Sequence, residues 1–126
     1  RRMIALGEER GVDPRRNVAI NEIWDDLSPK DHGARLWPQT ERIKAHVALA
    51  RVADDDAERA RHIRLTELAC EGLKPYLDVP TPGLYRDRMN ADGSFVEESA
   101  PASTLYHLFC AIKELTTLAE DSKSAN

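Results

Sequence analysis

The stretch Glu97–Leu118, EESAPASTLYHLFCAIKELTTL, constrains the fold more than any other part of the chain. It joins a helix start to two apolar stripes and a histidine. Pro101 suits the first helical position, where its missing N–H is no loss, and Ser99 just upstream can offer a capping oxygen. Leu105, Leu108, Phe109, Ile112, Leu115 and Ala119 then recur at three- and four-residue steps to about Glu120, with Thr104, His107 and Ala111 as a milder stripe beside them. Burial of both stripes makes this an inner helix, covered on two sides. His107 lies about two turns from its N-terminus and faces a neighbouring helix or a cavity. By itself, a histidine in such a helix is more often a hydrogen-bonded core residue than a catalyst.

The rest of the chain alternates helices with turn-rich segments. Met3, Ile4 and Leu6, closed by Gly11 and Val12-Asp13-Pro14, read as the end of a first helix. Val18, Ile20 and Ile23 turn the pattern extended, and Leu27-Ser28-Pro29-Lys30-Asp31 makes a short hairpin leading to Arg35. A second helix starts near Pro38, with Leu36, Thr40, Ile43, Val47 and Ala50 as its core stripe. A third follows Asp54-Asp55-Asp56, where Asp55 and Glu58 have capping-box spacing, and continues to Leu77 before Val79-Pro80 stops it. Ile63, Thr66, Cys70, Leu73 and Leu77 form its buried side. Arg59, Arg61, Arg64 and Glu67 face water, and His62 is expected among them. From Gly83 to Val96 a second hairpin is expected around Asn90-Ala91-Asp92-Gly93. Arg86 and Arg88 on one strand face could grip a phosphate or meet Glu97 and Glu98 across the hairpin, and the second is favoured. The fold class is therefore all-α, four helices with two short β-hairpins.

One cluster breaks the core pattern. Trp37, Gln39, Glu41 and Arg42 crowd the head of the second helix, and Trp37, Glu41 and Lys44 share a face by spacing. Trp at a helix entrance can wall a sugar ring while carboxylate and amide groups take its hydroxyls. The same spacing equally allows Glu41 to pair with Lys44 or Arg42 while Trp37 staples the hairpin to the helix.

Composition removes several classes of function. A net charge of −4 gives no basic field for nucleic acid or an anionic membrane. Cys70 and Cys110 have no CxxC partner and no zinc-type spacing to His32, His46, His62 or His107, which predicts free thiols, no metal site and a cytoplasmic setting. No run of apolar residues is long enough to span a bilayer.

Two words carry a family resemblance: RLWPQTERIKA at Arg35–Ala45 and PASTLYHL at Pro101–Leu108. In this order they resemble the N-acylglucosamine 2-epimerase superfamily, closest to its mannose isomerase and mannose-6-phosphate isomerase type members, over about Val18 to Leu118. The resemblance implies an (α/α)6 toroid, of which residues 1–126 would be a single C-terminal part. A start at Arg1, in mid-helix and without a capping residue, fits an upstream part being absent. It also implies a sugar site lined by Trp37, Gln39, Glu41 and Arg42. Tyr85 stands where the family often carries a tryptophan.

The implied chemistry is cofactor-free and metal-free proton transfer beside a carbonyl, with His107 as the catalytic base and a second histidine expected upstream of Arg1. The expected partner is a small sugar or sugar phosphate, with a homodimer left open. Two other classes compete. One is a glycoside hydrolase using Glu41 with Glu97 or Glu98. The other is a non-catalytic helical interaction module.

Overall fold

The structure, a computed structural model, describes residues 1–124, with side chains described through Asp121. Helix α1 (Arg2–Arg10) leads into strands β1 (Val12–Asp13), β2 (Val18–Ala19), β3 (Glu22–Ile23), β4 (Pro29–Asp31) and β5 (Ala34–Arg35). Helices α2 (Leu36–Arg51) and α3 (Asp56–Leu77) follow, then β6 (Arg88–Met89) and α4 (Ser103–Ser124). The chain is all-α with short two-stranded antiparallel pairs, as its periodicity predicts.

Helix α2 is central because both of its sides are apolar enough to pack. Ile43, Val47 and Ala50 are buried, and α3 and α4 lie against it with Ala69, Leu73, Leu108 and Ala111 completing one core. The start of α3 is fixed locally. Asp55 accepts from the Glu58 N–H at 2.7 Å while the Glu58 carboxylate accepts from the Asp54 N–H at 2.8 Å, a reciprocal cap that satisfies otherwise orphaned donors. Gly72 is required where α3 meets the β1–β2 turn. A Cβ there would lie 2.0 Å from the Asn17 carbonyl oxygen.

Several expectations need correction. The region before α2 forms two hairpins, β1–β2 and β3–β4, because Asn17 and Leu27 both take positive φ and turn the chain twice. The second expected hairpin is short: a turn at Asn90–Ser94, one Met89–Phe95 bridge and a Val96 N–H donated to the Arg88 carbonyl, while the other edge of β6 pairs with the distant β5. Pro38 is the third residue of α2, and Pro101 precedes α4 by a tight turn in which its carbonyl accepts from the Thr104 N–H.

His62 is 5% exposed, not on the water face, because the near end of α3 is covered by α1 and α2. Leu77 is 42% exposed, because α3 ends there, past its last packed turn at Tyr76. Among the described side chains of α4, only the Thr104, Leu108, Ala111 and Leu118 side is buried. Leu105, Phe109 and Ile112 are more than half exposed, together with Tyr106, since no described element packs on that side.

Candidate functional site

Asp87 organises the end of the molecule where α2 and α4 begin. Its side chain is fully buried and its two oxygens are divided: Oδ2 accepts from Arg35 Nε and Nη2 at 3.1 and 2.7 Å, and Oδ1 accepts from the Thr104 hydroxyl at 3.2 Å. Its backbone carbonyl accepts from the Leu36 N–H at 2.8 Å. One residue thereby ties β5, the first turn of α2 and the first turn of α4 together. Burying a carboxylate is costly unless it is paired and hydrogen-bonded, and here both conditions are met.

One turn into each helix, the tied ends bring Glu41 and His107 into contact. Glu41 Oε1 accepts from His107 Nδ1 at 2.8 Å and from Lys44 Nζ at 2.6 Å. Partial burial pushes the Glu41 carboxyl up, but the hydrogen bonds from Lys44 and His107 outweigh it and keep the group below the ordinary carboxylate range. An ionised carboxylate can only accept, so the proton of the neutral imidazole sits on Nδ1 and the lone pair on Nε2. No described residue occupies Nε2. The Trp37 ring lies 5.9 Å from the His107 ring and Tyr106 makes an edge contact at 5.7 Å. His107 is about one third exposed, so it is steadied on several sides and still reachable.

Of the residues expected from sequence to line a site, the structure brings Trp37, Glu41 and His107 together. It takes Gln39 and Arg42 elsewhere. The Gln39 amide is fully buried and clasps β2, its oxygen accepting from the Ala19 N–H at 2.7 Å and its nitrogen donating to the carbonyls of Ala19 and Arg35 at 2.9 and 2.8 Å. Arg42 forks onto Glu8 of α1 at 2.8 and 2.5 Å and donates to the Asn17 carbonyl. Both follow from the helical period, which turns positions 39 and 42 toward α1 and β2 when 37 and 41 face α4. Tyr85 packs against the core and donates its hydroxyl to the Pro101 carbonyl at 3.0 Å, bracing the approach to α4. Glu98 meets Arg88 at 3.4 Å, as expected, whereas Arg86 lies over the Phe95 ring.

A second titratable cluster lies outside what the sequence predicts. His46 Nε2 donates to Glu8 Oε2 at 3.0 Å, and His46 Nδ1 meets His62 Nδ1 at 3.2 Å with the rings stacked. Burial raises the Glu8 carboxyl, yet the bonds from His46 and Arg42 win and bring it to about 2. Burial first, then the neighbouring His46 charge, lowers His62. His46 falls on the same helical stripe as Gln39 and Ile43, a visible signal. Its pairing with a histidine of another helix has no local signature. Among the described residues no group of three or more His, Cys, Asp or Glu side chains is arranged to hold a metal ion. Likewise no described helix is long and apolar enough to cross a membrane.

The family model described as N-acylglucosamine 2-epimerase (GlcNAc 2-epimerase) matches residues 1–111. A protein named mannose-6-phosphate isomerase from Rhizobium meliloti (strain 1021) is 49% identical over 115 residues, which is 91% of this chain and 30% of the relative. The chain therefore spans about a third of that relative's length. No solved structure matches it.

Proposed function

Since the chain belongs to the N-acylglucosamine 2-epimerase family, we propose that it supplies one catalytic histidine of a cytoplasmic sugar isomerase or epimerase. Its four helices would form the C-terminal part of an (α/α)6 barrel. The observation that supports this best is the Glu41–His107 hydrogen bond beside Trp37, which fixes the tautomer and leaves Nε2 basic.

The reaction is proton transfer at C1 and C2 of a ring-opened aldose. The C1 carbonyl acidifies the C2–H bond. His107 Nε2 takes that proton, the bonding pair becomes the C1=C2 double bond, and negative charge develops on O1. Return of the proton to C1, with the O2 proton passing to O1, gives a ketose. Return to the opposite face of C2 gives the epimer and calls for a second acid, which this reading places outside the chain. Glu41 holds the imidazole and balances the imidazolium as it forms. Trp37 gives the sugar an apolar wall. The substrate is mannose, mannose 6-phosphate or an N-acyl hexosamine.

The test uses the full-length protein that carries these residues, incubated in D2O with mannose, mannose 6-phosphate, glucose and N-acetylglucosamine. Deuterium entering C1 or C2 of a product is expected with at least one of them. Absence of uptake and of conversion with all four would sink the reading.

A further inference from the structure

We propose, resting on the sugar-isomerase reading above, that Lys44 is a positioning residue for the proton transfer: it holds Glu41 in place for His107 and limits how strongly that carboxylate favours the charged imidazole. Lys44 Nζ and His107 Nδ1 both reach the same atom, Glu41 Oε1, at 2.6 and 2.8 Å. Among the described residues none donates to Oε2, yet the lysine sits on the oxygen that the histidine uses. An oxygen with two donors is shared between them, so the carboxylate that orients the imidazole is not wholly available to it.

The two donors come from different helices. Lys44 follows Glu41 by one turn of α2, the spacing at which a bonded pair pins a carboxylate against its own helix. His107 arrives from α4 and meets a carboxylate already fixed. The lysine side chain is 25% exposed, which restricts the rotamers open to it.

Few charges act here. Burial raises the Glu41 carboxyl, and the Lys44 bond heads the influences that bring it down, followed by the bond from His107. At the imidazole, α2 brings Glu41 and Lys44, and α4 itself brings Tyr106, whose ring makes an edge contact. Bonded to one oxygen, the lysine and histidine nitrogens lie within roughly 5.5 Å of each other, where like charges still interact measurably in water. When His107 takes a proton, its new charge therefore meets attraction from Glu41 and repulsion from Lys44. Proton transfer between two carbons calls for that balance. The base must release the proton as well as take it, and a carboxylate left unshared would hold the imidazolium too firmly to return it.

Two readouts on the full-length protein test this. Lys44→Met leaves a stem of similar length without charge. With whichever of the four sugars above is converted, the acid limb of its kcat/KM profile should move up by about half a pH unit, a loss of about threefold near pH 6 that shrinks as pH rises. Lys44→Arg should restore the wild-type limb. The second readout needs no turnover: the His107 ring-proton signal, assigned by its absence in His107→Asn, is followed against pH by NMR. Its midpoint should move up by about half a unit in Lys44→Met and return in Lys44→Arg. A fall in thermal stability with both pH readouts unmoved makes Lys44 a helix brace only, which overturns the proposal and leaves the isomerase reading standing. A shifted NMR midpoint in a protein that converts none of the four sugars keeps the hold of Lys44 on the imidazole and sinks the isomerase reading.

Discussion

Glu41 and Glu8 make the same kinds of contact in different surroundings. Glu41 accepts from Lys44 and from His107, and Glu8 from Arg42 and from His46. The difference is what remains for the histidine. At the α2–α4 end, His107 has one nitrogen on Glu41, a third of its side chain exposed and Nε2 unoccupied by any described residue. Between α1, α2 and α3, His46 is 1% exposed and its second nitrogen is spent on His62. A carboxylate that orients an imidazole is thus no sign of chemistry by itself. On the proposed reading it serves catalysis only where, as at His107, no described residue takes the far nitrogen.

The same change made at both histidines in the full-length protein should have contrasting effects. Asn cannot titrate near neutral pH, although it still forms hydrogen bonds. His107→Asn should lower kcat by about 10² to 10⁴ while KM changes little, the signature of a lost general base. His46→Asn should leave kcat of the folded protein near wild type and lower the denaturation midpoint. Retention of more than about a tenth of kcat in His107→Asn would make His107 a core histidine and erase the contrast.

Next in size is the stability cost of removing each carboxylate. Glu8→Ala strands Arg42, whose side chain is 6% exposed, and should cost roughly 2–4 kcal/mol, somewhat below a fully buried pair because Glu8 keeps some contact with water. Glu41→Ala should cost well under about 1 kcal/mol, since Lys44 and His107 can both reach solvent. Urea titration of both variants checks this, and equal losses would show that the two clusters share one structural role. A third, smaller effect sharpens the functional side. Glu41→Gln preserves an acceptor for Nδ1 but removes the charge, so kcat should fall about tenfold with a modest rise in KM.

What was legible in the sequence follows the range of each interaction. The Asp55–Glu58 cap and the stop at Leu77 are local, so residue order alone exposes them. Trp37, Glu41 and Lys44 are spaced by helical steps, which put them on one face of any helix they form. The sequence puts His62 on the water side because its own helix offers a charged face there, and only the arrival of α1 and α2 decides that it is covered. The same range limits Gln39, whose clasp on Ala19 joins positions 20 residues apart. The stripe Leu105, Phe109, Ile112 reads as buried from spacing, yet burial depends on a neighbour that spacing does not supply.

The smallest predicted effect concerns pH, and the buried cluster should dominate it. In the folded protein His62 lies below its ordinary value of 6.5, because burial and then His46 oppose its charge. Arg61 and Arg1 add to the lowering, and Glu58 opposes it. The unfolded chain therefore binds the extra proton first. Stability from this group is fully present above about pH 6.5 and is lost as pH falls through that value toward the folded one. Glu8 acts later: its carboxyl, at about 2 when folded against an ordinary 4.5, supports the fold above pH 4.5 and is lost as pH falls toward 2. Acid unfolding should therefore proceed in two stages, a shallow loss beginning near pH 6.5 and a steeper one below 4.5. His62→Gln keeps a hydrogen-bonding side chain without a titrating group, so it should flatten the first stage and leave the second intact. Denaturation midpoints measured from pH 8 to 3 test this directly. An unchanged slope between pH 6.5 and 5 in His62→Gln would mean that His62 is not the group responsible, and that the His46–His62 contact is weaker than its 3.2 Å separation implies.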